Sequence, residues 1–186
     1  MTHIELTTQI SIKWLFMRPW RILAFGFGSG ISRIGPGTIG TLWAWAMALV
    51  AQFFLPNWSP VGVVVLLGVG FLLGIWSCGK TGADLSEFDH SGMVWDEIIA
   101  FWLILFFIFP TNWKVQFMAF IVFRFFDIAK PGPIRHLDSY FKNWIPAGYL
   151  GKWPNTVRGF GVMIDDLLAA FFTLLVLSIF AKLGFY

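Results

Sequence analysis

Charged side chains are scarce in this sequence of 186 residues, at 12% of the total. Soluble domains carry about 25%, so the composition disfavours an ordinary soluble domain. Hydrophobic residues make up 58%, with 11 Trp and 22 Phe, which fits a lipid-facing surface with Trp at its interfaces. The net charge of +3 is small compared with the dense basic face that nucleic-acid binding needs. These features predict an integral membrane protein.

The sequence has one cysteine, and it lacks both the pattern of a cleavable signal peptide and a polar linker between domains. The single Cys78 forms no internal disulfide, and its place at the end of an apolar run indicates core packing. Residues 1–13 contain Glu5 and polar side chains where a cleavable signal peptide would have its apolar region. No polar linker divides the chain. We therefore expect an N-terminal interfacial arm over residues 1–24 and a single membrane-embedded domain over residues 25–186.

Five apolar runs follow the arm. They are Leu42–Leu55, Val61–Cys78, Ile98–Phe109, Val115–Ile128 and Leu167–Phe185. The predicted fold is all-α: a polytopic membrane helical bundle with about five membrane segments and an interfacial N-terminal helix. The third and fourth runs are shorter than the roughly 20 residues of a full crossing. They either tilt little, thin the bilayer, or form a hairpin whose polar ends lie in a wet cavity.

The basic residues predict the orientation of these segments. With the N-terminus inside and five crossings, the outside loops hold Lys114, and Lys182 lies near the end of the chain. The inside segments hold ten basic residues: Lys13, Arg18, Arg21, Arg33, Lys80, Lys130, Arg135, Lys142, Lys152 and Arg158. This is a strong positive-inside bias and gives an N-in, C-out topology. The same topology brings four polar stretches to one cytoplasmic surface: the glycine-rich segment before Leu42, residues 89–97, residues 124–135 and the Asp165-Asp166 pair.

A glycine-rich segment, Phe25–Thr41, precedes the first apolar run and contains six glycines. Such a segment turns sharply and directs N–H groups inward. Thr38 and Thr41 add hydroxyls where a helix begins, and a helix N-terminus favours an anion. The alternative is a glycine-rich entry that lets helices pack closely, and the sequence supports the two readings about equally. It is no Walker A loop, because no G-K-[ST] follows.

Two acidic pairs, Asp96-Glu97 and Asp165-Asp166, border apolar runs. An acid in the first turn of a helix is favoured by the helix dipole without any chemistry. In a membrane, however, paired carboxylates are costly, and a divalent cation with oxygen ligands would neutralise them. We therefore expect these pairs to form walls of a metal site.

A third acidic site, Asp127, lies on one helical face with Arg124 and Lys130. One interpretation is an ion pair that neutralises itself. The other has Asp127 binding metal while Arg124, Lys130 and Arg135 hold phosphate oxygens. Acidic sites beside cations fit the magnesium-assisted hydrolysis of a phosphate ester. Attack by water and attack by a carboxylate both stay open.

Four blocks in this order resemble the phosphatidylglycerophosphatase A family: G-F-G-S-G-I-S-R-I-G-P-G-T-I-G-T-L, D-H-S-G-M-V-W-D-E, F-R-F-F-D-I-A-K-P-G-P-I-R and G-F-G-V-M-I-D-D-L-L-A-A. The resemblance implies a magnesium-dependent lipid phosphatase of the bacterial inner membrane. It would convert phosphatidylglycerophosphate to phosphatidylglycerol at the cytoplasmic face. The family's acidic motif residues fall on Asp89, Asp96, Glu97, Asp127, Asp165 and Asp166, and its basic set on Arg124, Lys130 and Arg135.

The rival hypothesis is a non-enzymatic membrane cation transporter whose acids bind ions during passage. It predicts carboxylates near the middle of the spans. The sequence instead clusters them at segment ends, beside cations suited to phosphate.

Overall fold

The computed structural model describes residues 10–54, 59–87, 90–130, 132 and 154–185. These residues form α-helices and no strand, which confirms the all-helical prediction. Three of the described helices, Pro36–Phe54, Pro60–Leu85 and Pro154–Lys182, are long and apolar enough to cross a membrane. The elements are α1 (Ile12–Phe16), α2 (Pro19–Ala24), a 3-10 segment (Gly26–Ile31), α3 (Pro36–Phe54), α4 (Pro60–Leu85), α5 (Trp95–Ile108), α6 (Trp113–Ala129) and α7 (Pro154–Lys182).

Helix α4 extends well beyond the apolar run Val61–Cys78. Helix α4 starts at Pro60, after Ser59 caps it by accepting a hydrogen bond from the Gly62 N–H at 3.0 Å. It continues to Leu85 and ends where Ser86 turns left-handed. The helix therefore continues past Cys78, where the apolar run of the sequence ends. Gly79 and Gly82 lie within this end of the helix without ending it. Polar side chains are tolerated where a helix leaves the apolar layer.

Helix α7 starts at Pro154 rather than at Leu167, so the glycines before the Asp165-Asp166 pair are helical. These glycines allow close helix packing, although glycine is often taken as a sign of a flexible segment. A Cβ on Gly159 would collide with the carbonyl oxygen of Ile75, and one on Gly79 with the carbonyl oxygen of Asn155. Small residues let membrane helices approach in this way. The tight α4–α7 contact therefore fixes the depth of the acids in the bundle.

Helix α5 lies at the centre of the bundle. It contacts α3, α4, α6 and α7, and its side chains from Ile98 to Leu105 form much of the core. Cys78 is buried in the same core, as expected of a packing residue. Helices α5 and α6 contain 14 and 17 residues, or about 21 and 26 Å at 1.5 Å per residue.

The N-terminal helices fold back on α4. Asp84 near the end of α4 accepts hydrogen bonds from Arg21 Nε at 2.8 Å and from Trp20 Nε1 at 2.9 Å. The Val94 N–H donates to the carbonyl of Ala24 at 2.9 Å. These bonds hold α2 beside the N-terminal end of α5, where the acidic residues begin. Residues 1–9 of the predicted interfacial arm lie outside the described residues.

Candidate metal and phosphate site

Three carboxylates from two helices meet inside the bundle. Asp96 and Glu97 come from the first turn of α5, and Asp166 comes from α7. One oxygen from each lies within 4.8 Å of the others. The dipole of α5 favours the first two acids in its first turn, and the packing of α7 against α4 and α5 turns Asp166 toward them. Residues far apart in the sequence thus converge, as predicted.

This cluster has the properties of a cation site. Glu97 and Asp166 are 9% and 4% exposed. Their Oε2 and Oδ2 atoms are buried and have no hydrogen-bond partner among the described residues. Neighbouring buried carboxylates repel each other, and an unsatisfied buried charge is strongly destabilising. A hard divalent cation takes oxygen ligands of this kind, so the donor set fits a metal ion such as magnesium.

Arg124 and Asp127 lie beside the cluster on the last turns of α6. Arg124 Nη1 is 2.5 Å from Asp127 Oδ2 and 3.6 Å from Glu97 Oε1. Asp127 is also close enough to Asp166 for the two carboxyl groups to interact. The ion pair proposed as an alternative therefore exists, and it adjoins the carboxylate cluster. Arg124 Nε is buried without a hydrogen-bond partner in the described part of the chain, which leaves a donor for an anion.

Asp165 faces a different neighbour from Asp166. Its Oδ2 accepts a hydrogen bond from Lys130 Nζ at 3.1 Å. Lys130 ends α6 in a left-handed backbone conformation, with φ at 38°. The two adjacent aspartates therefore contact different groups. Asp166 belongs to the three-carboxylate cluster, and Asp165 contacts Lys130 at the C-terminal end of α6.

Gly37 is a site residue that the sequence did not single out among the glycines of its segment. It lies in the first turn of α3, where a Cβ would collide with Glu97 Oε1 and come within 3.0 Å of Arg124 Nη2. The backbone at the start of α3 thus touches the acid cluster directly. The signal available was the sequence G-P-G-T, since proline favours the first helical position, which would start α3 at Pro36.

The two threonines predicted to bind substrate differ in position. Thr38 is partly exposed in the first turn of α3, at the helix end that favours anions. Thr41 is fully buried, and its hydroxyl donates to the Gly37 carbonyl at 2.8 Å. The Thr41 hydroxyl proton is therefore used inside α3. Asp89 and Arg135 lie outside the described residues.

Comparisons with known proteins identify the family. The family model described as phosphatidylglycerophosphatase A matches residues 22–181. The chain is 38% identical over 167 residues to the phosphatidylglycerophosphatase A of Haemophilus influenzae, covering 88% of this chain and 90% of that protein. It is 39% identical over 155 residues to the one of Escherichia coli, covering 81% and 77%.

A third relative carries a different substrate in its name. It is a candidate phosphatidylinositol-3-phosphatase of Bacteroides thetaiotaomicron, 33% identical over 166 residues, covering 85% of this chain and 91% of that protein. No solved structure matches the chain. The family match covers most of the chain and includes every described residue of the acid cluster. The chain therefore belongs to the phosphatidylglycerophosphatase A family.

Proposed function

We propose that this protein hydrolyses phosphatidylglycerophosphate to phosphatidylglycerol and phosphate in bacterial phospholipid synthesis. In the net reaction the oxygen of water becomes bonded to phosphorus and the bond between phosphorus and the glycerol oxygen breaks. The released glycerol oxygen takes a proton from the water and becomes a hydroxyl group. The observation that carries the proposal is the buried cluster of Asp96, Glu97 and Asp166 with Arg124 beside it, in a chain that belongs to this family.

Magnesium is the cofactor of the proposal. Asp96, Glu97 and Asp166 would hold the ion, since one oxygen of each lies within 4.8 Å of the others. In addition, Glu97 Oε2 and Asp166 Oδ2 are buried without a hydrogen-bond partner in the described residues. Asp127 and Asp165 would complete the acidic wall, with Asp89 as a further ligand implied by the family motif. When bound, magnesium would polarise the phosphate ester and help to orient the attacking group.

The chain itself would bind and orient the phosphate. Arg124 presents a buried Nε–H, and guanidinium groups bind phosphate oxygens through planar, charge-assisted hydrogen bonds. The N–H groups in the first turn of α3 and the Thr38 hydroxyl lie where an anion is favoured. Lys130 and Arg135 would add positive charge. We assign Thr41 no contact with phosphate, because its hydroxyl is engaged within α3.

We further propose that five segments cross the bacterial inner membrane with the active site facing the cytoplasm. The acid cluster lies at the N-terminal ends of α3 and α5 and the C-terminal end of α6, which fits successive antiparallel crossings. Basic residues concentrate at this end of the bundle, as the positive-inside rule requires of a cytoplasmic face. Residues 25–186 would then form one catalytic domain.

Phosphate release by the purified protein in detergent tests the function. We expect phosphatidylglycerophosphate to be hydrolysed in the presence of magnesium, and activity to disappear on chelation and return on adding the metal. Asp166→Asn should abolish release while the protein remains folded, because the neutral amide is a poor substitute for a charged oxygen ligand.

The matched control is Glu87→Gln, which removes an exposed carboxylate just beyond α4. This variant should hydrolyse the lipid at the wild-type rate. Undiminished activity in Asp166→Asn, or activity that ignores chelation, would contradict the assignment of the site. The rival hypothesis of a cation transporter has no support among the relatives, which are named as phosphatases.

A further inference from the structure

An apolar groove of about 520 Å³ runs along the bundle between α3 and α4, with α5 as its floor. Its walls include Trp43 and Ala51 of α3, Leu67 of α4, and Trp95 and Trp102 of α5. A volume of this size lies within the range of about 300–1,000 Å³ that is typical of small-molecule sites. The acid cluster described above uses none of these side chains.

Two of the indole N–H groups in the groove walls already have partners. Trp95 Nε1 donates to the Gly70 carbonyl at 2.9 Å, and Trp102 Nε1 donates to the Ala44 carbonyl at 2.8 Å. Ordered water needs several polar partners in a cavity, whereas apolar cavities stay dry. The groove therefore suits an apolar occupant, and its walls are fixed by these hydrogen bonds.

The dimensions of the groove match a lipid chain. It extends along α5 from Trp95 to Phe109, which is about 21 Å at 1.5 Å per residue. Half of the hydrocarbon core of a bilayer measures about 15 Å, so the groove accommodates the acyl chain of one leaflet along its whole length. Two of its walls, α3 and α4, are candidate membrane spans, which places the groove where lipid is the surrounding solvent.

One end of the groove meets the catalytic end of the bundle. Trp95 lines the groove and directly precedes Asp96 of the carboxylate cluster. Phe27 of the 3-10 segment lies at the same end, with its ring 5.9 Å from that of Trp95. The 3-10 segment then leads to Gly37, which touches Glu97. A lipid with its chain in the groove would thus have its headgroup beside the acids.

Phe27 has an unusual backbone for a bulky residue. Its φ is 58° and its ψ is 24°, and its side chain is 59% exposed. Left-handed conformations of such residues are rare and cluster at ligand sites. Here the conformation holds an exposed aromatic ring over the end of the groove, next to Gly28 with φ at 104°.

We propose that this groove binds one acyl chain of the phospholipid substrate, with Phe27 and Trp95 at its headgroup end. The inference rests on the proposed function. The position of the groove favours a substrate chain over bulk lipid, because Trp95 at one end of it directly precedes Asp96 of the cluster that would act on the headgroup. Such binding would also favour a membrane lipid over small phosphate esters.

Filling the groove with a larger side chain tests the proposal. Ala51 lies on α3 about 12 Å beyond Trp43 at 1.5 Å per residue, so Ala51→Trp should obstruct the deep part and spare the part near Phe27. We compare dipalmitoyl and dihexanoyl phosphatidylglycerophosphate by kcat/KM. Displacing about two methylene groups corresponds to a loss of about tenfold. The ratio of long-chain to short-chain kcat/KM should fall by that factor, mainly through KM.

The matched control is Leu72→Trp, which adds the same side chain to α4 at a position that is 66% exposed and outside the groove. Its ratio should equal that of the wild type. An unchanged ratio in Ala51→Trp would overturn the groove assignment while leaving the proposed function intact. If the wild type released phosphate from neither ester, the proposed function would fail and the inference with it.

A second measurement needs no variant. A substrate with a photoreactive diazirine at the end of one acyl chain should label the far part of the groove, at Leu105–Phe109. An excess of unlabelled phosphatidylglycerophosphate should suppress the labelling, and the same excess of phosphatidylcholine should not. Equal competition by both lipids would mean that bulk lipid fills the groove, and labelling confined to exposed α4 positions would mean that no chain enters it. Either result would overturn the proposal.

Discussion

Lys130 Nζ lies 3.1 Å from Asp165 Oδ2. Lys130 caps the C-terminal end of α6, and Asp165 lies within α7, so the contact connects the two helices. The side chain of Asp165 is 6% exposed and that of Lys130 24%. The pair therefore fixes α7 against α6 at the level where Asp166 meets Asp96 and Glu97. Its partners have two separable roles: charge compensation within the bundle and, in our proposal, contact with metal and phosphate.

A double-mutant cycle separates these roles. We expect Lys130→Met to lower the free energy of unfolding by up to about 3–5 kcal/mol, because it removes the ammonium group that the buried Asp165 carboxylate contacts. Asp165→Asn combined with Lys130→Met should recover part of this loss, since both charges are then gone. Phosphate release should be absent in the double variant, despite its recovered stability, if Asp165 belongs to the acidic wall. The measurements are thermal unfolding in detergent and phosphate release.

Recovered activity in the double variant would restrict Asp165 to a structural role. The control for the cycle is Asp84→Asn, which breaks a different ion pair, that with Arg21. This variant should loosen α2 from α4 and leave hydrolysis in place.

Gly37→Ala tests the contact between α3 and the acid cluster. In an unconstrained helix, alanine is more stable than glycine by about 1 kcal/mol. At Gly37, however, the added methyl group would collide with Glu97 Oε1 and crowd Arg124. We expect kcat to fall at least about tenfold, since a displacement of about 1 Å in a catalytic site has effects of this size or larger.

Gly68→Ala is the matched control, because a Cβ there meets nothing within 4 Å. It should preserve activity and leave stability unchanged or raised. Equal kcat values for Gly37→Ala and the wild type would mean that Glu97 needs no fixed position.

The helical architecture was predictable from the sequence because long apolar runs have few alternatives in a bilayer. Helix ends were less predictable. The apolar run that begins at Leu167 belongs to a helix that begins at Pro154, because the stability of its first turns comes from contact with α4. That contact depends on Gly79 and Gly159 facing each other, and periodicity within one segment contains no information on which glycines face a partner.

The meeting of Asp96, Glu97 and Asp166 was also predictable, since paired carboxylates in an apolar chain are few. The separate contact of Asp165 was not. Asp165 and Asp166 are neighbours in sequence, yet a helix turns successive side chains by about 100°, so they face different partners. The groove between α3 and α4 left no sequence signal either, because a groove wall and a lipid-facing surface have the same apolar composition.

Cysteine labelling tests whether α5 crosses the membrane. Ser91 precedes α5 and Lys114 follows it, and both are exposed. In intact spheroplasts, a membrane-impermeant maleimide should label Lys114→Cys, and Ser91→Cys should react after the membrane is opened. The native Cys78 is buried and supplies an unreactive background. Labelling of both positions from the same side would contradict the crossing of α5 and the five-segment topology.

Arg124→Lys tests whether the phosphate needs a guanidinium group rather than a positive charge. Lysine keeps one charge beside Asp127 and Glu97, so the ion pairs that hold α6 to α5 are partly retained. It lacks the buried Nε–H and the planar fork that binds two phosphate oxygens at once. We expect kcat/KM for phosphatidylglycerophosphate to fall about 100-fold, in line with the loss of one transition-state donor.

Arg33→Lys, at an exposed position before α3, is the matched control and should hydrolyse the lipid like the wild type. If both lysine variants were equally active, Arg124 would serve the fold through its ion pairs, and the phosphate would depend on α3 and Lys130 instead.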